Sequence, residues 1–361
     1  MPSVIYPLSA DPIHNGHINN IKKLKELNFF DKIYIAIGRN YEKRTKYLFS
    51  DTEKLAITKK AVAPLGSSAV VEVFTGLLAH YAKRKNTNII IRGSRNSSDF
   101  ESEQIMAEFN KAYGLHTFII PAPKNTFNIS STTIKAIVEN GGLVHEYVPP
   151  VIKQALEEKI LGITLIGVTG NTGSGKTSFC KKISQLNKKI NYLEVDKVIK
   201  ELYKNNLAVE QKVKKIFGQN IYSKKEINRK KLAQIIFSDT MKRLALVEIL
   251  RTPLKISLEE KIQNLKGIIL IDCAYLAEYN LLPLVNNNII LLTCSDKIKQ
   301  ERNKNAHKIR EAQYTEKQLI LAIKEQQKKS AYGNFLEINT EKNINYLQIA
   351  ARLKQWQILH A

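Results

Sequence analysis

Over the first 160 positions, apolar residues gather in short runs rich in Ile and Val, separated by stretches with helical spacing. The runs at 3–8, 32–38, 70–74, 88–91 and 117–121 are apolar on both faces, which predicts strands covered on both sides. The stretches 16–27, 52–62, 77–83, 100–113 and 131–140 between and after them predict helices. Strand and helix in alternation imply parallel pairing and a doubly wound sheet. Pro149-Pro150 closes this unit, and 151–160 reads as its last helix. A second alternation opens at 163–169 and continues with strands at 191–195, 267–272 and 288–293. The polar, mostly helical stretch 197–265 reads as an inserted helical region. Two α/β domains are expected, 1–160 and 161–361, with the boundary near Leu161 and no flexible linker.

Composition narrows the function classes. An apolar fraction of 43% excludes a wholly disordered chain. Lys and Arg number 56 against 33 Asp and Glu, a net charge of +23, of which +6 lies in 1–160 and +17 beyond it. A basic half suits anionic partners, nucleic acid or phosphorylated small molecules; the plainer reading is a solvated lysine coat on helix faces. No RNA-binding aromatic signature or basic heptad appears, so no nucleic-acid partner is expected. Cys180, Cys273 and Cys294 have no paired spacing, which argues against disulfides and a zinc knuckle. No apolar run approaches the roughly 18 residues a bilayer requires, and the N-terminus enters an apolar strand without a basic leader. A cytoplasmic protein with no membrane partner is the expectation.

The first chemical constellation follows the first strand: Ser9-Ala10-Asp11-Pro12-Ile13-His14-Asn15-Gly16-His17, then a helix. Gly16 permits close backbone approach, and the helix start offers free N–H groups and a positive dipole end to phosphate. His14 and His17, three apart, face one side and can donate to phosphate oxygens as charge develops. Surface histidines on a turn and a metal-binding pair are the alternatives. The string resembles the H-x-G-H signature of adenylylating nucleotidyltransferases. Arg92-Gly93-Ser94-Arg95, then Asp99-Phe100-Glu101 and Glu103, is similar to the R-G-x-R…D-F-E-x-E segment of phosphopantetheine adenylyltransferases. Ile129 to Lys135, Thr75-Gly76-Leu77-Leu78 and Val148-Pro149-Pro150 resemble further segments of that family, in its order.

This resemblance implies a Rossmann-like nucleotidyltransferase domain and assigns roles by position. Ser9 and Ala10 meet ATP and the substrate phosphate, and His14 joins the ATP site. His17 stabilises charge on the α-phosphoryl group, Arg92 holds 4′-phosphopantetheine and Leu78 lines its arm. Gly93, Ser94, Arg95, Glu103, Thr126, Ser130, Ser131 and Thr132 complete the ATP site. The family's lysine is Lys43 counted from Asn40, or Lys46 counted back from Phe49. Leu8 and Ala10 depart from the family's Y-P-G-[ST]-F-D, and a bulky Leu8 is expected to crowd the phosphates. The family also implies a homo-oligomer formed through this domain.

The second constellation, Gly170-Asn171-Thr172-Gly173-Ser174-Gly175-Lys176-Thr177, lies between a predicted strand and a helical run, the context a P-loop requires. Its N–H groups wrap ATP phosphates, Lys176 adds a mobile charge, Ser178 follows in the same turn, and the Thr177 hydroxyl is placed to ligate Mg2+. Tyr192-Leu193-Glu194-Val195-Asp196 resembles the V-I-D-A-D segment of dephospho-coenzyme A kinases. That resemblance implies a P-loop kinase domain with a helical insertion and a lid. Asp196 is then the general base on the ribose 3′-hydroxyl, its alternative being an acidic helix cap. By the same resemblance Arg229 holds a substrate phosphate and Arg302 leads into a basic lid, 302–310. Glu194, Thr252, Ala274 and Lys329 depart from the kinase pattern.

The two families catalyse consecutive reactions, so the halves together resemble a bifunctional coenzyme A synthase. The first reaction joins 4′-phosphopantetheine to ATP, giving dephospho-coenzyme A and pyrophosphate; the second phosphorylates its 3′-hydroxyl. Both use ATP and magnesium. A nicotinamide mononucleotide adenylyltransferase fused to a nucleoside kinase shares the H-x-G-H and P-loop but not Arg92–Arg95 with Asp99–Glu101. A basic nucleic-acid-binding scaffold with decayed sites would show salt-dependent affinity for RNA or DNA.

Overall fold

The computed structural model describes residues 1–38, 47–121, 130–223, 226–302 and 314–359. The chain divides into two compact units. The first comprises 1–140, 144–160 and 328–332; the second comprises 141–143, 161–327 and 333–361.

In the first unit, β1 (Val4–Leu8), α1 (Asn15–Glu26), β2 (Ile33–Gly38), α2 (Asp51–Val62) and β3 (Ala69–Phe74) are followed by α3 (Leu78–Arg84) and β4 (Ile89–Ser94). Then come α4 (Ser97–Lys111), β5 (His116–Pro121), α5 (Ser131–Glu139) and α6 (Pro150–Leu156). The five strands form one parallel sheet in the order β3-β2-β1-β4-β5. β1 is central and every one of its residues is buried, which is why it reads as an unbroken apolar run. The chain leaves β1 toward β2 on one side and returns as β4 on the other, so the carboxyl ends of β1 and β4 flank a crevice where α/β sheets bind ligands. Ile5, Ala36, Tyr81, Ala82, Ile90 and Leu115 form a core on one face. Ser50 opens α2 with a capping box to Glu53, and the Asn96 and Ser130 side chains cap α4 and α5. After α6, Glu157–Leu161 makes one π turn. There Lys153 and Glu157 form a buried pair at 2.5 Å, and Tyr332 Oη donates to Gln154 Oε1 at 2.7 Å. Burial holds the Lys153 ammonium below its usual range against the pull of Glu157.

The second unit runs β6 (Ile163–Thr169), α7 (Lys176–Leu186), β7 (Ile190–Glu194), α8 (Val195–Asn205), α9 (Leu207–Phe217) and the two-residue strands β8 (Tyr222–Ser223) and β9 (Glu226–Ile227). It continues through α10 (Arg229–Ser238), α11 (Thr240–Gln263), β10 (Gly267–Asp272), β11 (Ile289–Thr293) and α12 (Asp296–Arg302). It closes with β12 (Phe335–Asn339) and α14 (Tyr346–Gln355), after α13 (Glu316–Ser330), whose last turn belongs to the first unit. The parallel sheet has the order β12-β11-β6-β10-β7. α8, α9 and α11 pack with Leu165, Ile269 and Ile271 on one face; α7 and α14 cover Ile166, Val168 and Leu270 on the other.

The alternation predicted ten elements of the first unit and four strands of the second, with ends that coincide or shift by at most three residues. The structure adds β12, an edge strand in which only Ile338 is buried. A half-exposed edge lacks the continuous apolar run that marks β6, β10 and β11. Val195 opens α8 rather than ending β7. No helix among the described residues is long and apolar enough to cross a membrane.

Candidate active sites

The crevice of the first unit is built around the start of α1. His14 is the N-cap, and its Nδ1 accepts from Gly16 N at 3.1 Å. His17 lies one turn on, and its Nδ1 accepts from His14 N at 3.3 Å. The two imidazoles form a capping box, with ring centroids 3.8 Å apart. An Nδ1 that accepts carries no proton, so in the neutral ring the proton sits on Nε2. Burial, then the neighbouring Arg95, pushes His14 down to about 4. Burial and the adjacent His14, Arg95 and Arg92 hold His17 well below its usual range. Both rings are therefore neutral Nε2–H donors at neutral pH, free to strengthen their bonds as anionic charge grows beside them.

Arg92, toward the carboxyl end of β4, makes a two-pronged bond to Glu103 of α4, with Nε and Nη2 each 2.6 Å from a carboxylate oxygen, and its Nη1 donates to the Pro7 carbonyl at 2.7 Å. Arg95 pairs with Asp99 at 2.8 Å. Gly93 is required because a Cβ there would collide with the Asn20 amide, which itself donates to Tyr6 Oη. The structure thus brings Ser9, Ala10, His14, His17, Arg92, Gly93, Ser94, Arg95 and Glu103 to the ends of β1 and β4 and the start of α1 and α4. Ser130, Ser131 and Thr132 open α5, and Ser131 Oγ reaches the Pro12 carbonyl at 2.9 Å. Leu78, half-buried, opens α3. Lys43, Lys46 and Thr126 lie outside the described residues.

The departures at Leu8 and Ala10 have a local account. Leu8 ends β1 opposite Ile37 and is buried. Ala10 takes a positive φ of 48°, a conformation that costs a non-glycine residue about 1 kcal/mol or more. One residue missing from the sequence reading of this site is Asp11. Its buried carboxylate accepts from Leu48 N, Phe49 N and Lys135 Nζ.

In the second unit the P-loop joins β6 to α7. Gly170 has φ +138°, and a Cβ there would run into the Leu292 carbonyl; Gly175 caps α7 at φ +90°. Lys176 Nζ donates to the carbonyls of Gly170 and Asn171 at 2.9 and 3.1 Å. Burial lowers its pKa, against the pull of Asp272 and Asp196. Thr177 Oγ1 donates to Asp272 Oδ2 at 2.6 Å. Burial raises the Asp272 carboxyl, while Thr177 and Lys176 draw it back. Asp272, at the end of an apolar strand, resembles the start of the kinase family's D-x-P-L-L-x-E segment, a resemblance that assigns it no role. Register sets Glu194 opposite Asp272, and Glu194 pairs with the exposed Lys197 at 2.8 Å. Asp196 stands exposed in the first turn of α8.

Three buried polar atoms around this loop, Thr169 Oγ1, Asn171 Oδ1 and Ser174 Oγ, have no partner among the described residues. Thr172, Gly173 and Ser178 complete the loop and the first turn of α7. Arg302 Nη1 bridges the Gly173 carbonyl at 3.3 Å and Thr340 Oγ1 at 3.0 Å, placing the end of α12 over the loop. Arg229 opens α10, and 303–310 lie outside the described residues. Thr252 is exposed on α11, and Ala274 is buried beside Cys273.

Donor chemistry decides whether magnesium fits. No group of three or more His, Cys, Asp or Glu among the described residues could cage a metal. Thr177 and Asp272 offer adjacent hard oxygens beside the phosphate loop. That set suits Mg2+, which keeps waters and takes one or two protein oxygens together with substrate phosphates.

Comparison with known proteins matches two families along the chain. A family described as cytidylyltransferase-like matches residues 5–137, and one described as dephospho-CoA kinase matches residues 164–342. The phosphopantetheine adenylyltransferase of Pseudarthrobacter chlorophenolicus is 41% identical over 150 residues, 41% of this chain and 88% of that protein. That of Caldanaerobacter subterraneus subsp. tengcongensis is 38% identical over 162 residues, 44% of this chain and 98% of its own. A solved structure, of NadR protein in complex with NAD and AMP-PNP, spans 99% of this chain and 96% of its own at a TM-score of 0.34 and 10% identity, too distant to bear on activity. Through its first unit the chain belongs to the phosphopantetheine adenylyltransferase family, and it continues into a domain of the dephospho-CoA kinase family.

Proposed function

We propose that this chain performs the last two steps of coenzyme A synthesis, each in its own α/β domain, divided near residue 160. The observation that carries the reading is the presence, in one chain, of two dissimilar phosphate sites. One is a helix start capped by neutral imidazoles beside Arg92; the other is a P-loop whose Thr177 holds Asp272.

In the first step a phosphate oxygen of 4′-phosphopantetheine attacks the α-phosphorus of ATP. The bond to the β-phosphate breaks and pyrophosphate leaves, with no covalent enzyme intermediate. His17 Nε2–H donates to the non-bridging oxygen on which charge grows, and the α1 dipole acts in the same direction. Arg92, held rigid by Glu103 and Pro7, orients the acceptor phosphate; Leu78 lines its apolar arm. The Ser130–Thr132 helix start and Arg95 hold the nucleotide phosphates.

In the second step the ribose 3′-hydroxyl of dephospho-coenzyme A attacks the γ-phosphorus and ADP leaves. Asp196 takes the hydroxyl proton, and Lys176, withdrawn from its carbonyl partners, neutralises the transferring group. The Ser174 hydroxyl, without a partner among the described residues, and the loop N–H groups bind the phosphate chain. Arg302 moves from the Gly173 carbonyl to the nucleotide, and Arg229 holds the acceptor's phosphate. Thr177 and Asp272 would hold Mg2+, which would supply charge neutralisation on the nucleotide phosphates.

The test is a product assay on purified full chain with phosphopantetheine, ATP and magnesium. Coenzyme A from the wild type is expected, with arrest before dephospho-coenzyme A in His17→Ala and at dephospho-coenzyme A in Lys176→Ala. Accumulation of dephospho-coenzyme A by the wild type would remove the kinase assignment, and absence of any product would remove both.

A further inference from the structure

Asp11 lies in the turn between β1 and α1 and is only 3% exposed, yet its carboxylate gathers groups from two other parts of the same unit. Leu48 N donates to both oxygens at 3.1 Å and Phe49 N to Oδ1 at 3.0 Å, just before α2. Lys135 Nζ, in the second turn of α5, donates to Oδ2 at 2.8 Å. A parallel tie joins the same two segments one residue on, where Ser131 Oγ meets the Pro12 carbonyl at 2.9 Å. The turn carries Ser9, Ala10 and His14; the start of α5 carries Ser130, Ser131 and Thr132. Two walls of one phosphate crevice are therefore pinned to each other by a partly buried ion pair and a hydrogen bond. Such a pair contributes little net stability, whereas its directional bonds fix distance and orientation.

We propose that Asp11 and Lys135 form a positioning pair of the adenylyltransferase site, setting the histidine turn against the start of α5 so that one nucleotide phosphate chain meets both. The inference rests on the adenylyltransferase reading above. Lys135 acts through Asp11, not on the substrate.

Full-length Lys135→Met, Lys135→Arg, Asp11→Asn and the Asp11→Asn/Lys135→Met double variant are assayed for dephospho-coenzyme A formation. Phosphorylation of supplied dephospho-coenzyme A and the thermal midpoint, measured on the same samples, serve as controls. Lys135→Met and Asp11→Asn are each expected to lower kcat about 10- to 100-fold, the scale of a one-ångström misplacement, with little change in KM for phosphopantetheine. Lys135→Arg restores most of the rate, the double variant is no worse than the poorer single one, and kinase turnover is unchanged. Wild-type kcat in Lys135→Met overturns the pair. So does a double-variant loss equal to the product of the single losses, which would put Lys135 on the nucleotide itself. A loss that Lys135→Arg leaves unrelieved, or that merely follows the thermal midpoint, overturns it as well. A wild type that makes no dephospho-coenzyme A strikes the reading of the site; an active wild type with indifferent variants strikes only the pair.

Discussion

His14 and His17 show how much a side chain's role depends on the bonds of its backbone. Sequence places two imidazoles three residues apart and leaves surface, metal and phosphate roles open. The structure turns both Nδ1 atoms onto backbone N–H groups, which fixes the tautomer and leaves Nε2–H as the donor. A pH dependence follows. His14 titrates at about 4 in the folded chain and near 6.5 unfolded, so between these values the unfolded state binds more protons. Stability is complete above pH 6.5 and declines as pH falls through this window, by up to about 3 kcal/mol from His14 alone. Urea unfolding of the first unit at pH 7 and pH 4.5 measures this, and His14→Asn, which keeps a capping oxygen but does not titrate, is expected to shrink the difference. Asp11 is the opposite case: its identity is plain in the sequence, but its partners are 37 and 124 positions away.

Elements were legible where one physical cause dominated. β1, β6, β10 and β11 are buried along their whole length or nearly so, and their apolar runs announce them. At the helix starts Ser50, Asn96 and Ser130 satisfy N–H groups that the helix leaves unpaired; of these only Ser130 was read as a cap from the sequence, and helical spacing alone put the start of α4 three residues late. β12 was not, because edge pairing to β11 creates a strand from a sequence without a distinct pattern. The P-loop is an element whose sequence and shape are inseparable: Gly170 is needed both for its φ and because the Leu292 carbonyl leaves no room for a Cβ. Gly170→Ala is expected to distort the loop, cost about 1–2 kcal/mol or more, and stop turnover at dephospho-coenzyme A while adenylylation persists. Product analysis by mass spectrometry separates that outcome from general unfolding, which would stop both steps.

At the scale of the whole molecule, the two parallel sheets and their families were readable because alternation, the H-x-G-H string and the P-loop are local patterns. The exact composition of the compact units was not, since residues 328–332 lie far along the chain yet belong to the first unit. There the Tyr332 hydroxyl serves Gln154, which is fully buried. Tyr332→Phe is expected to lower the stability of the first unit by about 1 kcal/mol, read from its denaturant midpoint, with P-loop phosphotransfer on supplied dephospho-coenzyme A retained. Sequence alone determined the fold class, the order of the two families and most of the residues gathered at the two candidate sites, because glycines, caps and strand burial act within a few positions. Tertiary structure alone decided which nitrogen of each histidine faces the crevice, that Thr177 holds Asp272, and that Asp11 holds Lys135. The last two join residues 95 and 124 positions apart, and their energy depends on distance in space rather than along the chain; the histidine bonds span only two or three positions, and the folded turn selects which nitrogen makes them.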